Sequence, residues 1–157
     1  TVVLANKLMI SHYVMGRITP SKKNMKRLDN KINKIFSSLE FLAPWLIRFG
    51  LGIAFALHGL GKFPLPPEGL SNFLGSSLAS FVAISELGAG LILIIGGFIK
   101  GPVGNLTTRF AGGTIVVIMI SALSLAHRDW FITTKLFTSE QIFLLLIGLY
   151  FLLRGNR

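Results

Sequence analysis

The chain has 157 residues, 52% hydrophobic and only 14% charged, with a formal net charge of +10 and no cysteine. A soluble domain carries about 25% charged residues, so this balance points to a membrane protein, and the missing thiols exclude disulfides, thiolate nucleophiles and iron–sulfur clusters within this sequence. Eight of the sixteen Lys and Arg precede the first long apolar run, which marks a cytoplasmic side rather than a nucleic-acid face.

Residues 1–41 read as a basic cytoplasmic extension. The stretch 2–15 is apolar but interrupted by Lys7 and His12, which argues against a span, and no cleavable signal peptide is expected. Met25, Leu28, Ile32, Ile35 and Leu39 then recur at spacings of 3, 4, 3 and 4, with lysines and Arg27 between them. This is the pattern of a basic amphipathic helix, suited to the anionic inner leaflet or to the protein's own cytoplasmic face.

Residues 42–157 carry four apolar segments, at about 45–63, 78–99, 110–126 and 137–153. Each falls within the roughly 17 to 25 residues that cross a bilayer as helix. The connections PLPPEG, KGPVGN and HRDWFITTK read as turns. The expected fold is all-α and integral to the membrane, a four-transmembrane-helix bundle. With both termini inside, thirteen Lys and Arg lie on one side and only Lys62, Arg128 and Lys135 on the other, so the topology reads as N-in and C-in.

Glycines punctuate the spans, among them Gly59 and Gly61 in the first and Gly88 and Gly90 in the second. They are expected to be helix-packing positions, because small residues let backbones approach in lipid.

In this topology the scarce charges gather at the outer level. His58 and Lys62 sit four residues apart and share a face of the first helix. Glu86 is the one ionisable residue of the second span, His127 ends the third and Glu140 opens the fourth. Ionisable groups in a membrane face a bundle interior or a polar pocket, so Lys62 or protonated His58 is the expected counter-ion of Glu86. An interhelical salt bridge without chemistry explains the same residues. Glu140 also suits the first turn of a helix. Trp45 and Trp130 fall where aromatic belts are expected, and Trp130 is also placed to stack on a ring-shaped ligand. Arg48 alone is ionisable in the inner half and is expected to snorkel. Two histidines and a carboxylate can bind Zn or Fe, but His58, Glu86 and His127 share no local spacing motif, so no metal ligand set is assigned.

The runs RFGLGIAFALHGLGKF (48–63) and ISELGAGLILIIGGF (84–98), the AH that ends the third segment and the acidic start of the fourth resemble the DoxX family. The resemblance spans about residues 42–153. It leaves out the basic extension, and the HRDWF loop departs from the family's small, Pro/Asn-rich one. It implies a small four-helix protein of the prokaryotic plasma membrane, similar in some members to the membrane subunit of thiosulfate:quinone oxidoreductase. The expected function is then a membrane subunit of a quinone-linked redox system. Glu86, His58 and Lys62 would act on a quinone held in an outer-leaflet pocket by His127, Trp130 and Glu140, because quinone reduction consumes protons as well as electrons. No covalent cofactor is implied; the expected partners are the lipid bilayer and other membrane or redox subunits, with a homo-oligomer open. The alternative is a non-enzymatic structural or assembly subunit in which the polar cluster clamps helices together.

Overall fold

A computed structural model describes residues 21–156, the side chain of Ile132 excepted, and the apolar stretch 2–15 lies outside them. Most of the described residues are helical and none lies in a strand, and the chain divides into two compact units, Thr1–Leu42 and Ala43–Arg157.

In the first unit, helix α1 (Lys22–Phe36) runs into a 3-10 turn at Ser37–Leu39. The 3-4 periodicity produced the helix as expected. Met25, Leu28, Ile32 and Ile35 are all exposed along it, so among the described residues of its own unit this apolar stripe has no core to enter.

The second unit is built on α2 (Leu42–Leu60), α4 (Ser76–Phe98), α5 (Gly101–Ala126) and α7 (Glu140–Arg154). Short helices α3 (Glu68–Leu74) and α6 (Lys135–Thr138) lie in the connections. Among the described residues, three helices, α2, α4 and α5, are long and apolar enough to cross a membrane. Helix α7 has 15 residues, about 22 Å at 1.5 Å per residue, against a hydrocarbon core of about 30 Å. It is shorter than its apolar segment because the segment's first residues are taken by α6 and the bend at Ser139.

The core is a thin seam. Leu51 and Phe55 of α2 meet Ala89 and Leu93 of α4, Ala111, Ile115 and Met119 of α5, and Leu144 and Phe151 of α7. Outside it the helices stay apolar: Leu46, Phe81, Ile95, Val117 and Leu153 are each more than half exposed. A water-facing bundle would carry polar residues on those faces; an apolar exterior around an apolar core suits lipid.

Glycine sets how closely the helices approach. A Cβ on Gly90 would lie 2.5 Å from the Ala56 amide nitrogen and from the Gly52 carbonyl oxygen, and one on Gly112 would lie 2.7 Å from the Leu152 nitrogen. These are backbone-to-backbone contacts, joining α2 to α4 and α5 to α7. Two of the expected packing glycines behave otherwise. Gly88 faces open space, and Gly61 meets only carbonyls of its own helix, because both lie off the contact face that Gly59 and Gly90 define.

Candidate functional site

Helix α2 ends at Leu60, and the Lys62 amide donates to the Gly59 carbonyl at 3.1 Å in the closing turn. The prolines at 64, 66 and 67 cannot donate to a helical ladder and so prevent continuation. Just before that end, Gly59 lies against α4: a Cβ there would come within 2.8 Å of Leu87 Cα and 2.9 Å of the Ala83 oxygen. This approach brings the Lys62 side chain to Glu86, where its ammonium donates to the carboxylate as a hydrogen-bonded ion pair. Glu86 is 5% exposed. Its charge is therefore matched within the bundle, as burial of a carboxylate requires.

His58, one turn earlier, turns to a different helix. Its Nε2 lies 3.3 Å from Glu140 Oε1 on the first residue of α7. Here both side chains are accessible, His58 by 38% and Glu140 by 62%. Glu140 also stands in the first turn of its helix, where a negative charge complements the exposed amides.

His127 stays apart from both pairs. It closes α5 with a non-helical backbone, φ −135°, and the chain continues as a 3-10 helix at Arg128–Ile132. The Trp130 amide donates to the His127 carbonyl at 3.0 Å, and the two rings stack with centroids 3.8 Å apart and planes 18° from parallel. No hydrogen bond or ion pair among the described residues joins His127 to Glu86 or His58. The expected five-group cluster therefore resolves into the Lys62–Glu86 ion pair, the His58–Glu140 contact and a separate local stack. Among the described residues, no three His, Asp or Glu side chains come together as a metal ligand set.

At the opposite end of the bundle lies an assembly the sequence reading missed. Arg48 is 4% exposed and does not snorkel. Its Nη1 donates to the Leu93 carbonyl at 2.6 Å and to Thr108 Oγ1 at 3.1 Å, and its Nη2 donates to Asn156 Oδ1 at 2.7 Å. Asn156 also accepts from Thr108 Oγ1 at 2.6 Å, and its Nδ2 donates to the Gly96 carbonyl at 2.6 Å and the Ile99 carbonyl at 3.2 Å. The Asn156 amide reaches Asn105 Oδ1 at 3.1 Å. The guanidinium carbon lies 4.7 Å from the Phe151 ring centre, a cation–π distance. Counting ionisable groups alone left Arg48 isolated; the signal lay in the neutral polar residues Asn105, Thr108 and Asn156 at neighbouring helix ends.

No family model, curated protein or solved structure matches the chain.

Proposed function

We propose that the chain is an integral subunit of a membrane complex, a four-span bundle with both termini inside, whose Lys62–Glu86 ion pair serves as an interhelical clamp. The observation that carries this reading is the direct pairing of Lys62 with a Glu86 that is 5% exposed. A carboxylate hydrogen-bonded to an ammonium of the neighbouring helix inside a bundle fixes the position of the two helices. Helix α7 serves as the fourth span: its buried residues Leu144, Gly148 and Phe151 align it along α5, and the apolar residues before it extend its reach. Basic α1 lies on the anionic inner leaflet or docks a cytoplasmic partner. The DoxX resemblance supports placement in a prokaryotic plasma membrane beside other membrane or redox subunits. The test is Glu86→Gln: it lowers the thermal midpoint in detergent while quinone reduction by membranes holding the protein stays intact. An unchanged midpoint with lost quinone reduction overturns the clamp.

The His58–Glu140 pair favours a second reading, a quinone-linked redox subunit. An accessible imidazole beside a carboxylate is equipped to exchange protons with a quinone head group at the bundle's rim, with the His127–Trp130 stack as an aromatic wall. Quinone titration of the purified protein decides it. Affinity that is the same in wild type, His58→Ala and Glu86→Gln removes the pocket from consideration.

A further inference from the structure

Helix α1 presents an apolar face that no described residue covers. At about 100° per residue, Met25, Leu28, Ile32, Ile35 and Phe36 fall within an arc of about 100°. All five are exposed, Ile35 by 64% and Phe36 by 61%. The other side of the helix carries Lys22, Lys23, Lys26, Arg27, Lys31 and Lys34, and Asp29 is the one carboxylate of α1. Lys22 and Lys31 stand at the two borders of the apolar arc. There a lysine lays its stem along apolar surface and lifts its ammonium away from it.

Charge selects the occupant. Six cations against one carboxylate, spread over about half the circumference, match a continuous sheet of negative charge such as an anionic leaflet. The stripe itself is aliphatic apart from Phe36 and holds no Trp or Tyr, the residues that anchor most protein interfaces. A narrow apolar face with a strongly basic polar face is the pattern of helices that lie in the plane of a bilayer surface. Position along the chain agrees. Phe36 ends α1 only six residues before Leu42 opens α2, a helix apolar enough to cross a membrane. Six residues reach about 20 Å at most. The end of α1 is thus tethered close to where α2 enters lipid, which makes surface binding intramolecular. Exposed Leu39 and Phe41 continue the apolar sequence between the two helices.

We infer that α1 is an anchor for anionic lipid, with its aliphatic stripe at the level of the acyl chains and its cations among phosphate-bearing head groups. The inference rests on the reading of the chain as a membrane subunit and chooses the bilayer over a protein as the partner of α1.

The experiment uses the purified full chain in lipid discs, whose two surfaces are both open to solution, so the result is independent of orientation. The sequence contains no cysteine, and Ile32→Cys on the stripe or Asn30→Cys on the basic side carries a small fluorophore. Quenching by acrylamide, which is neutral, reports access. Exchanging phosphatidylcholine for its equimolar mixture with phosphatidylglycerol is expected to lower quenching of the Ile32 probe at least about threefold and to leave the Asn30 probe accessible. Lys26→Gln combined with Lys31→Gln spares the stripe and lowers the bound-to-free ratio of α1 by about 25-fold, about fivefold per cation, so quenching returns toward its value in phosphatidylcholine. Equal protection in both lipids, unmoved by the two glutamines, overturns the anchor. So does an Ile32 probe that stays accessible in the anionic discs and is shielded only when soluble cell extract is added, which assigns the face to a protein partner. A chain that does not enter discs at all overturns the membrane-subunit reading as well, whereas an embedded chain with an accessible stripe overturns the anchor alone.

Discussion

Glu86 and Glu140 are both carboxylates paired with a basic residue of α2, yet their surroundings assign them different weights. Removing one partner of a buried pair leaves an uncompensated charge, at a cost of about 3 to 5 kcal/mol. Lys62 retains 27% side-chain exposure, so the ammonium can recover some hydration, and Glu86→Gln is expected to cost about 2 to 3 kcal/mol. Lys62→Met alone strands the less exposed partner and costs at least as much. The double variant loses less than the sum of the singles, a coupling that denaturation of all four proteins in detergent measures. Glu140→Gln changes stability by no more than about 1 kcal/mol, because exposed pairs contribute little. Asn156→Ala removes two acceptor contacts and two donor contacts at once. It is expected to destabilise by about 2 to 3 kcal/mol, chiefly through the unsatisfied guanidinium, and the same unfolding assay checks it.

Among the helices, backbone proximity decides what a substitution does, and exposure of the position alone does not. Gly59→Val must push α2 from α4 at Leu87 and Ala83, at about 3 kcal/mol for the overpacked contact, and it separates Lys62 from Glu86 as it does so. Gly88→Ala meets open space and is expected to lie within about 1 kcal/mol of wild type on the stabilising side, since alanine holds helix better than glycine. Thermal midpoints of the two variants, measured side by side, check the contrast. This difference also shows how far the sequence could be read. Runs of apolar residues set the existence and order of the main helices, and the spacing of Met25, Leu28, Ile32 and Ile35 set α1. Which glycines touch a neighbour depends on the rotation of each helix about its axis, and a uniformly apolar span carries no stripe from which to read that rotation. For the same reason Lys62–Glu86 was legible as a pairing of scarce charges, whereas the partners of Arg48, being neutral, were not.

At the scale of the molecule, three helices among the described residues have the length and apolarity to cross a bilayer, and the role of α7 determines whether the start of α2 and the end of α7 share a side. Because the sequence contains no cysteine, single introduced cysteines report directly on access. In intact cells Asn72→Cys and Thr134→Cys are expected to react with a membrane-impermeant maleimide, while Ser37→Cys and Lys100→Cys react only after lysis. A cysteine appended after Arg157 behaves like Ser37→Cys if α7 crosses and like Thr134→Cys if it does not. The Arg48 assembly adds a consequence in time. Arg48 and Asn156 are 108 residues apart, which at about 5 to 20 residues per second of synthesis is an interval of about 5 to 20 s. Lys62 and Glu86, 24 residues apart, can meet within a few seconds. One end of the nascent bundle is thus latched early, while a guanidinium at the other end waits for Asn156 to leave the ribosome. Through that interval the newborn protein exposes a cation to its insertion machinery that the finished protein conceals.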